Sequence, residues 1–299
     1  MQYPMFNTFA MSSVVCRRAD HAAHPSSDCH YQIAWSINPH MKPGTTRLGQ
    51  ALNQHEALRR ILRKAGAQIL ELPFVCGAYD SVFAKDNAFL FQSESHRRAL
   101  VLNPTYIERQ QEQATRERAY ETLGFELLHL PESVRLEGGD IVVAGQRGVF
   151  LGYGFRSDRA VSPAFSELTG WPTEALELVD PYLYHLDTAL ALLSDGTALG
   201  CREAFSEDSW ARLSASPWLR ELIEVSYEDA LNFGCNVVQV GRQVVSGCAD
   251  PGHSDRLRGL GYEPVTIPLS QFTRAGGSAA CMVAQVHVAP SAGLDLLAG

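Results

Sequence analysis

The sequence predicts an α/β fold built from five ββαβ-like units, and three observations predict it. Helix-like stretches that end near a glycine alternate with pairs of short apolar strands. The unit recurs every roughly 40 to 60 residues, a spacing typical of repeat architectures. In each copy, the loop after an LxLP-type strand holds the conspicuous polar residues.

The first copy opens on HEALRRILRKAG, whose apolar positions fall at helical spacing and which ends at Gly66. The strand AQILELPF follows, then the loop VCGAYDSVFAKD with Asp80 and Asp86, then the strand NAFLF. The second copy has the helix ERQQEQATRERAYETLG ending at Gly124, the strand FELLHLP, the loop ESVRLEGGD with Glu137 and Asp140, and the strand IVVA. The third reads LTG, ALELVD, PYLYHLD, TALALL and carries His185 and Asp187. The fourth reads WLRELIEVSY, EDALNFGCN, VVQV and carries Asn236. The fifth reads HSDRLRGLG, YEPVTIPL, SQFTRAGGSAAC, MVAQVHV and carries Cys281. Glycine after a helix suits a left-handed cap, and alternation such as FELLHLP suits a strand with one buried face. If the units are arranged radially, their equivalent loops converge on one axis.

A chain of 299 residues with 45% hydrophobic and 19% charged content is that of an ordinary globular protein. A net charge of −8 with scattered Lys and Arg argues against nucleic acid as a partner. No apolar run reaches membrane-span length, so no membrane partner is expected. The start MQYPMFNTFAMSSVV lacks the pattern of a secretory leader. Seven dispersed cysteines suggest a reduced, cytoplasmic protein. No CxxC or HExxH pattern is present, and no metal or other cofactor is expected.

Cys281 follows Gly-Gly-Ser-Ala-Ala, whose small residues permit close backbone approach to a ligand and present amide N–H groups. His185 and Asp187, read as i and i+2 of an extended strand, point to one side. Most cysteines are small core residues, and Gly-Gly turns often carry solvated carboxylates. The combination outweighs those readings. A thiol, a histidine and several carboxylates at one centre suit a planar cation such as guanidinium, whose N–H fork pairs bidentately with carboxylates. A nearby cation favours the thiolate. Attack on the guanidinium carbon, protonation of the departing amine by histidine and then hydrolysis leave a ureido product.

LEGGD, HLD and GGSAAC, in that order and preceded by KD, resemble the guanidino-group modifying superfamily. It includes arginine deiminases, dimethylarginine dimethylaminohydrolases and amidinotransferases. The resemblance runs from about Ile37-Asn38-Pro39 to Val288. It implies a five-bladed α/β propeller with pseudo-fivefold symmetry, the pentein fold, as one catalytic domain over 1–299. It implies Cys281 as nucleophile and His185 as acid/base. Glu137 and Asp86 would hold the guanidinium, Asp187 would add a carboxylate, and Arg109 and Arg156 would hold the substrate carboxylate. Asp80 matches the first position of a DxVFxED segment, and Asp140 closes LEGGD.

Two departures bear on the substrate. Lys85 stands where dimethylarginine hydrolases usually have Glu, and Asp187 is generally lacking in them. Both favour an unmethylated or mildly substituted arginine-like substrate with a citrulline-type product, whereas the compact length and the DSVF segment point back to the dimethylarginine group and an N-methylated arginine. An amidinotransferase, a citrulline-type ureido hydrolase and a catalytically silent binding module are the alternatives. The order of histidine before cysteine disfavours a papain-like hydrolase. IAWSINPHMKPG reads as a lid or inner wall, and oligomeric state is not readable.

Overall fold

Fifteen strands form by one recurring scheme in the computed structural model, which describes residues 7–16, 29–93 and 96–290. In chain order they are β1 (Thr8–Ser12), β2 (Gln68–Leu72), β3 (Ala88–Ser93), β4 (His96–Val101), β5 (Glu126–His129), β6 (Ile141–Val143), β7 (Val149–Tyr153) and β8 (Thr173–Glu177). There follow β9 (Leu190–Leu192), β10 (Thr197–Gly200), β11 (Glu221–Glu224), β12 (Val237–Val240), β13 (Gln243–Ser246), β14 (Glu263–Thr266) and β15 (Ala284–Val288). In the triplets β3–β4–β5, β6–β7–β8, β9–β10–β11 and β12–β13–β14, the first pair is antiparallel and the second parallel. The chain ends meet in the same scheme: β15 pairs antiparallel with β1, and β1 parallel with β2. Parallel pairing of β15 with β3 merges two triplets into one six-stranded sheet.

The scheme follows from connection lengths. An antiparallel pair closes through a tight turn, whereas a parallel partner needs a helical crossover. Gly145, Gly196 and Gly241 turn three of the hairpins at φ 61°, 89° and 60°, a region that disfavours a side chain. The crossovers are α1 (Leu48–Lys64), α2 (Gln113–Thr122), α3 (Ser162–Thr169), α4 (Glu207–Ser214) and α5 (Pro251–Gly259). On α1, Ala51, His55, Leu58 and Leu62 are buried, the three- and four-residue spacing of one apolar face. Their partners include Phe9, Met11, Phe74 and Phe272 in one of four apolar clusters.

Residues of the first strand of every triplet (β15, β3, β6, β9 and β12) line one cavity of about 1200 Å³. No helix among the described residues is long and apolar enough to cross a membrane.

Three expectations are corrected. β1 has no counterpart in the sequence reading, because its partners lie at opposite ends of the chain. The ERQQEQATRERAYETLG helix is interrupted: a single turn, Ile107–Gln110, precedes α2. The fully reduced chain also fails at one pair. Cys29 and Cys76 form a disulfide with a Cα–Cα separation of 5.0 Å across 47 residues. The segments that follow β1 and β2 run together, which spacing alone does not reveal. The leader reading rests partly on residues 1–6, which lie outside the described residues.

Candidate active site

The polar residue of each unit sits just ahead of its first strand. Asp86 lies in a single 3-10 turn before β3, and Glu137 precedes another before β6. His185 caps the one-turn helix Leu186–Ala189 before β9. Asn236 immediately precedes β12, and Cys281 comes shortly before β15. Because these strands lie side by side around one cavity, their leading loops meet. Asp80, Asp86, Arg109, Glu137, Arg156, His185 and Cys281 line one small pocket. Ile37, Asn38, Met41, Phe83, Tyr184 and the run Ala275, Gly276 and Gly277 complete its wall, which gives IAWSINPHMKPG its place.

The pocket is nearly filled, with about 10 Å³ of free space, because the protein's own guanidinium groups occupy the carboxylates. Arg156 donates to both Glu137 oxygens at 3.1 and 3.3 Å and to Ile37 O at 2.7 Å. Its guanidinium lies over the rings of Tyr106 and Tyr184, 4.5 and 4.9 Å from their centroids. Arg109 bonds Asp86 at 3.2 Å and pairs with Glu112 at 2.7 Å. Both arginines are buried. Buried cations and carboxylates are tolerable only when paired in this way.

His185 Nε2 lies 3.1 Å from Glu137 Oε2. Burial works against charge on the imidazole, but the carboxylates of Asp140, Asp86 and Glu137 outweigh it and hold the His185 pKa up at about 9. Burial likewise opposes ionisation of Glu137, yet Arg156 and His185 keep it below the usual carboxylate range. Cys281 is the reverse case. Burial, then Asp187 and Asp86, push its thiol well up, opposed by Lys85.

Asp140 and Asp187 do not line the pocket. Burial raises Asp140 to about 7, and its oxygens accept from Ser157 Oγ at 2.6 Å and Leu186 N at 3.0 Å. It therefore anchors the residue after His185 instead of facing a substrate. Asp187 bonds Lys85 Nζ at 2.7 Å and lies 3.8 Å from Cys281 Sγ. The extended-strand argument that set it beside His185 is corrected: His185 is extended, but Asp187 lies in the helical turn.

Gly276 and Gly277 line the pocket, in keeping with the small residues before Cys281. A Cβ on Gly277 would meet the Phe83 ring at 2.4 Å, and one on Gly276 would meet Asn38 at 2.7 Å. Their own N–H groups donate to Thr273 O and Phe272 O, while the Ser278 backbone amide bonds the Cys281 sulfur.

Asn236 was seen only as a polar residue of the fourth unit. Its Nδ2 donates to Cys281 Sγ at 3.1 Å, and its Oδ1 accepts from Ala280 N at 3.0 Å. The repeat position was the signal for it. Glu112 had none, since it sits within a polar helical stretch.

Asp86, Glu137 and His185 present ligand atoms within 4.8 Å of one another. Each carboxylate already bonds an arginine, an arrangement suited to planar N–H donors. Chemically, the site offers a buried thiol, a cationic imidazole and carboxylates selected for guanidinium.

Residues 30–288 match the sequence model of the family described as "N,N dimethylarginine dimethylhydrolase, eukaryotic". The chain is 35% identical over 263 residues to the N(G),N(G)-dimethylarginine dimethylaminohydrolase of Mycobacterium tuberculosis, covering 86% of this chain and 83% of that protein. In structure it is similar to the substrate-bound N-terminal domain of ArgZ, an arginine dihydrolase of cyanobacteria. The TM-score is 0.84 at 26% identity, covering 94% of this chain and 98% of that one. A variant of the same domain covalently bonded to a reaction intermediate matches equally well, with TM-score 0.84, 26% identity and 95% of this chain covered.

Proposed function

The chain belongs to the dimethylarginine dimethylaminohydrolase family of guanidino-group modifying enzymes, and from that premise we propose that it hydrolyses the guanidino group of a free arginine-type amino acid through Cys281. As a member of that family it is a hydrolase of guanidino C–N bonds.

In this reading the substrate guanidinium takes the place of the arginine groups now on Asp86 and Glu137. Its charge lowers the Cys281 thiol, which burial otherwise holds protonated. The thiolate attacks the central carbon. The imidazolium of His185 gives its proton to the nitrogen that departs, as ammonia or an alkylamine, leaving an S-alkylthiouronium on Cys281. The neutral imidazole then takes a proton from water, whose oxygen adds to the same carbon. Collapse expels the thiol and releases a citrulline-type product. Arg109 and Arg156, freed from their carboxylates, are positioned to take the substrate carboxylate. The observation that carries the reading is the meeting of thiol, imidazole and two guanidinium-bonded carboxylates in one pocket.

Lys85 bears on the substrate. The case for an unmethylated guanidine rests on Lys85 and Asp187 together, and the part that has Asp187 receive guanidine N–H groups weakens because Asp187 is committed to Lys85 outside the pocket. We therefore favour an N-methylated arginine. Arginine itself is the second reading, supported by the likeness to the substrate-bound arginine dihydrolase domain. We also read the five strand triplets as blades of one closed propeller and 1–299 as one catalytic domain. The five first strands around one cavity support this.

Mass-spectrometric turnover of arginine, methylated arginines, agmatine and citrulline, with and without glycine as acceptor, tests the proposal. A citrulline product without acceptor, abolished in Cys281→Ser, is expected. Turnover only with the acceptor contradicts it.

A further inference from the structure

Lys85 occupies a place that the reaction does not explain. Its ammonium lies 2.7 Å from Asp187 Oδ2, the same oxygen that lies 3.8 Å from Cys281 Sγ. Its backbone N–H donates to Cys281 O at 3.2 Å, so the two segments are fixed to each other. Lys85 O is also pinned, because it lies where a Cβ on Gly138 would come within 1.9 Å. The Lys85 side chain is one-fifth exposed, and that of Asp187 is 4% exposed.

A thiolate forming 3.8 Å from an unpaired carboxylate would face strong like-charge repulsion at low effective dielectric. We infer that Lys85 is a positioning residue for the reaction, neutralising Asp187 so that the Cys281 thiolate can form beside it. The inference rests on Cys281 being the nucleophile. Lys85 acts through Asp187 and touches no reacting atom. The charged and titratable groups around the thiol are Asp187, Asp86, Lys85, Tyr184 and His185, and Lys85 also faces His287. Among the cations acting on the thiol, Lys85 alone is committed to a carboxylate that contacts it. Arg109 and Arg156 are held on other carboxylates.

Cys281→Ser-controlled alkylation by iodoacetamide tests this, because it reads the thiolate without any substrate. Lys85→Met leaves Asp187 unpaired beside the thiol. Its Cys281 alkylation at fixed pH is expected to slow at least about tenfold, equivalent to about one unit of thiol acidity. Lys85→Arg retains the charge and keeps the rate near that of the native protein. The double variant Lys85→Met/Asp187→Asn removes both charges and is expected to recover the alkylation rate to within about threefold, which a merely structural loss would not allow. With substrate, Lys85→Met should lower kcat with little change in KM. Native-like alkylation in Lys85→Met, or a double variant as slow as the single one, would overturn the inference. Absence of turnover on every guanidine, with the alkylation pattern intact, would remove the substrate reading and leave the role of Lys85 standing.

Discussion

At Cys281 the surrounding protein works against the reactive form of its own nucleophile. The thiol is buried, Asp187 and Asp86 are near it, and Lys85, the Ser278 backbone amide and the Asn236 amide favour its anion. His185 is held charged up to about 9 by the carboxylates around it. The productive form needs thiolate with imidazolium, so at neutral pH the free enzyme carries one proton too many. Because the thiol is held above His185, thiolate with imidazolium is the minor form one proton lower, and kcat/KM should climb about tenfold per pH unit, levelling only near pH 9 where His185 titrates. A steady-state profile that is flat between roughly pH 6 and 8 would contradict this ordering of the two groups. Repeat position, chemical type and the family motifs together single out Cys281, His185, Glu137 and Asp86 in the sequence. What could not be read was which charge each carboxylate meets. Asp187 looked like a substrate ligand because Lys85, 102 positions away, was not known to be its partner.

Among the elements, the loop that carries Asp80 and Asp86 has little regular structure of its own, and α2 holds it. Arg116, fully buried on that helix, donates to Asn87 Oδ1 at 2.9 Å, Pro73 O at 2.7 Å, Ser12 Oγ at 2.9 Å and Ser81 O at 2.6 Å. One guanidinium thus ties β1, the end of β2 and both halves of the loop. Removing it strands four buried acceptors, and Arg116→Met should destabilise the protein by about 3–5 kcal/mol. Urea unfolding with unchanged m-value measures this, and a loss under about 1 kcal/mol would refute the bracing role. Arg116 drew no attention in the sequence, where it is one of several charges in a polar helical stretch. Tight backbone packing was likewise hidden at Gly139, where a Cβ would lie 2.3 Å from His185 Nδ1. LEGGD needs its glycines because the Lys85 carbonyl packs on Gly138 and the imidazole of His185 on Gly139.

For the whole molecule, the repeat was the most legible feature. Left-handed glycines close helical segments at Gly66, Gly124, Gly170 and Gly261, as their position after helical patterns predicted. The strand pairs fell where alternation placed them. What escaped was everything made by distant segments: β1 against β15, the Cys29–Cys76 bridge, and the arginine–carboxylate pairs that fill the pocket. Local patterns encode elements, whereas such pairings depend on the tertiary arrangement of all of them. The central claim is that this arrangement makes Cys281 a nucleophile toward guanidino carbon. Its most direct test is mass spectrometry of the Cys281 peptide after acid quench during turnover. The account predicts one S-alkylthiouronium adduct on Cys281, of the same mass from arginine and from arginines methylated on one terminal nitrogen only, because that nitrogen has already departed. Product formation with an unmodified Cys281 peptide at every time point, or an adduct on another cysteine, would contradict it.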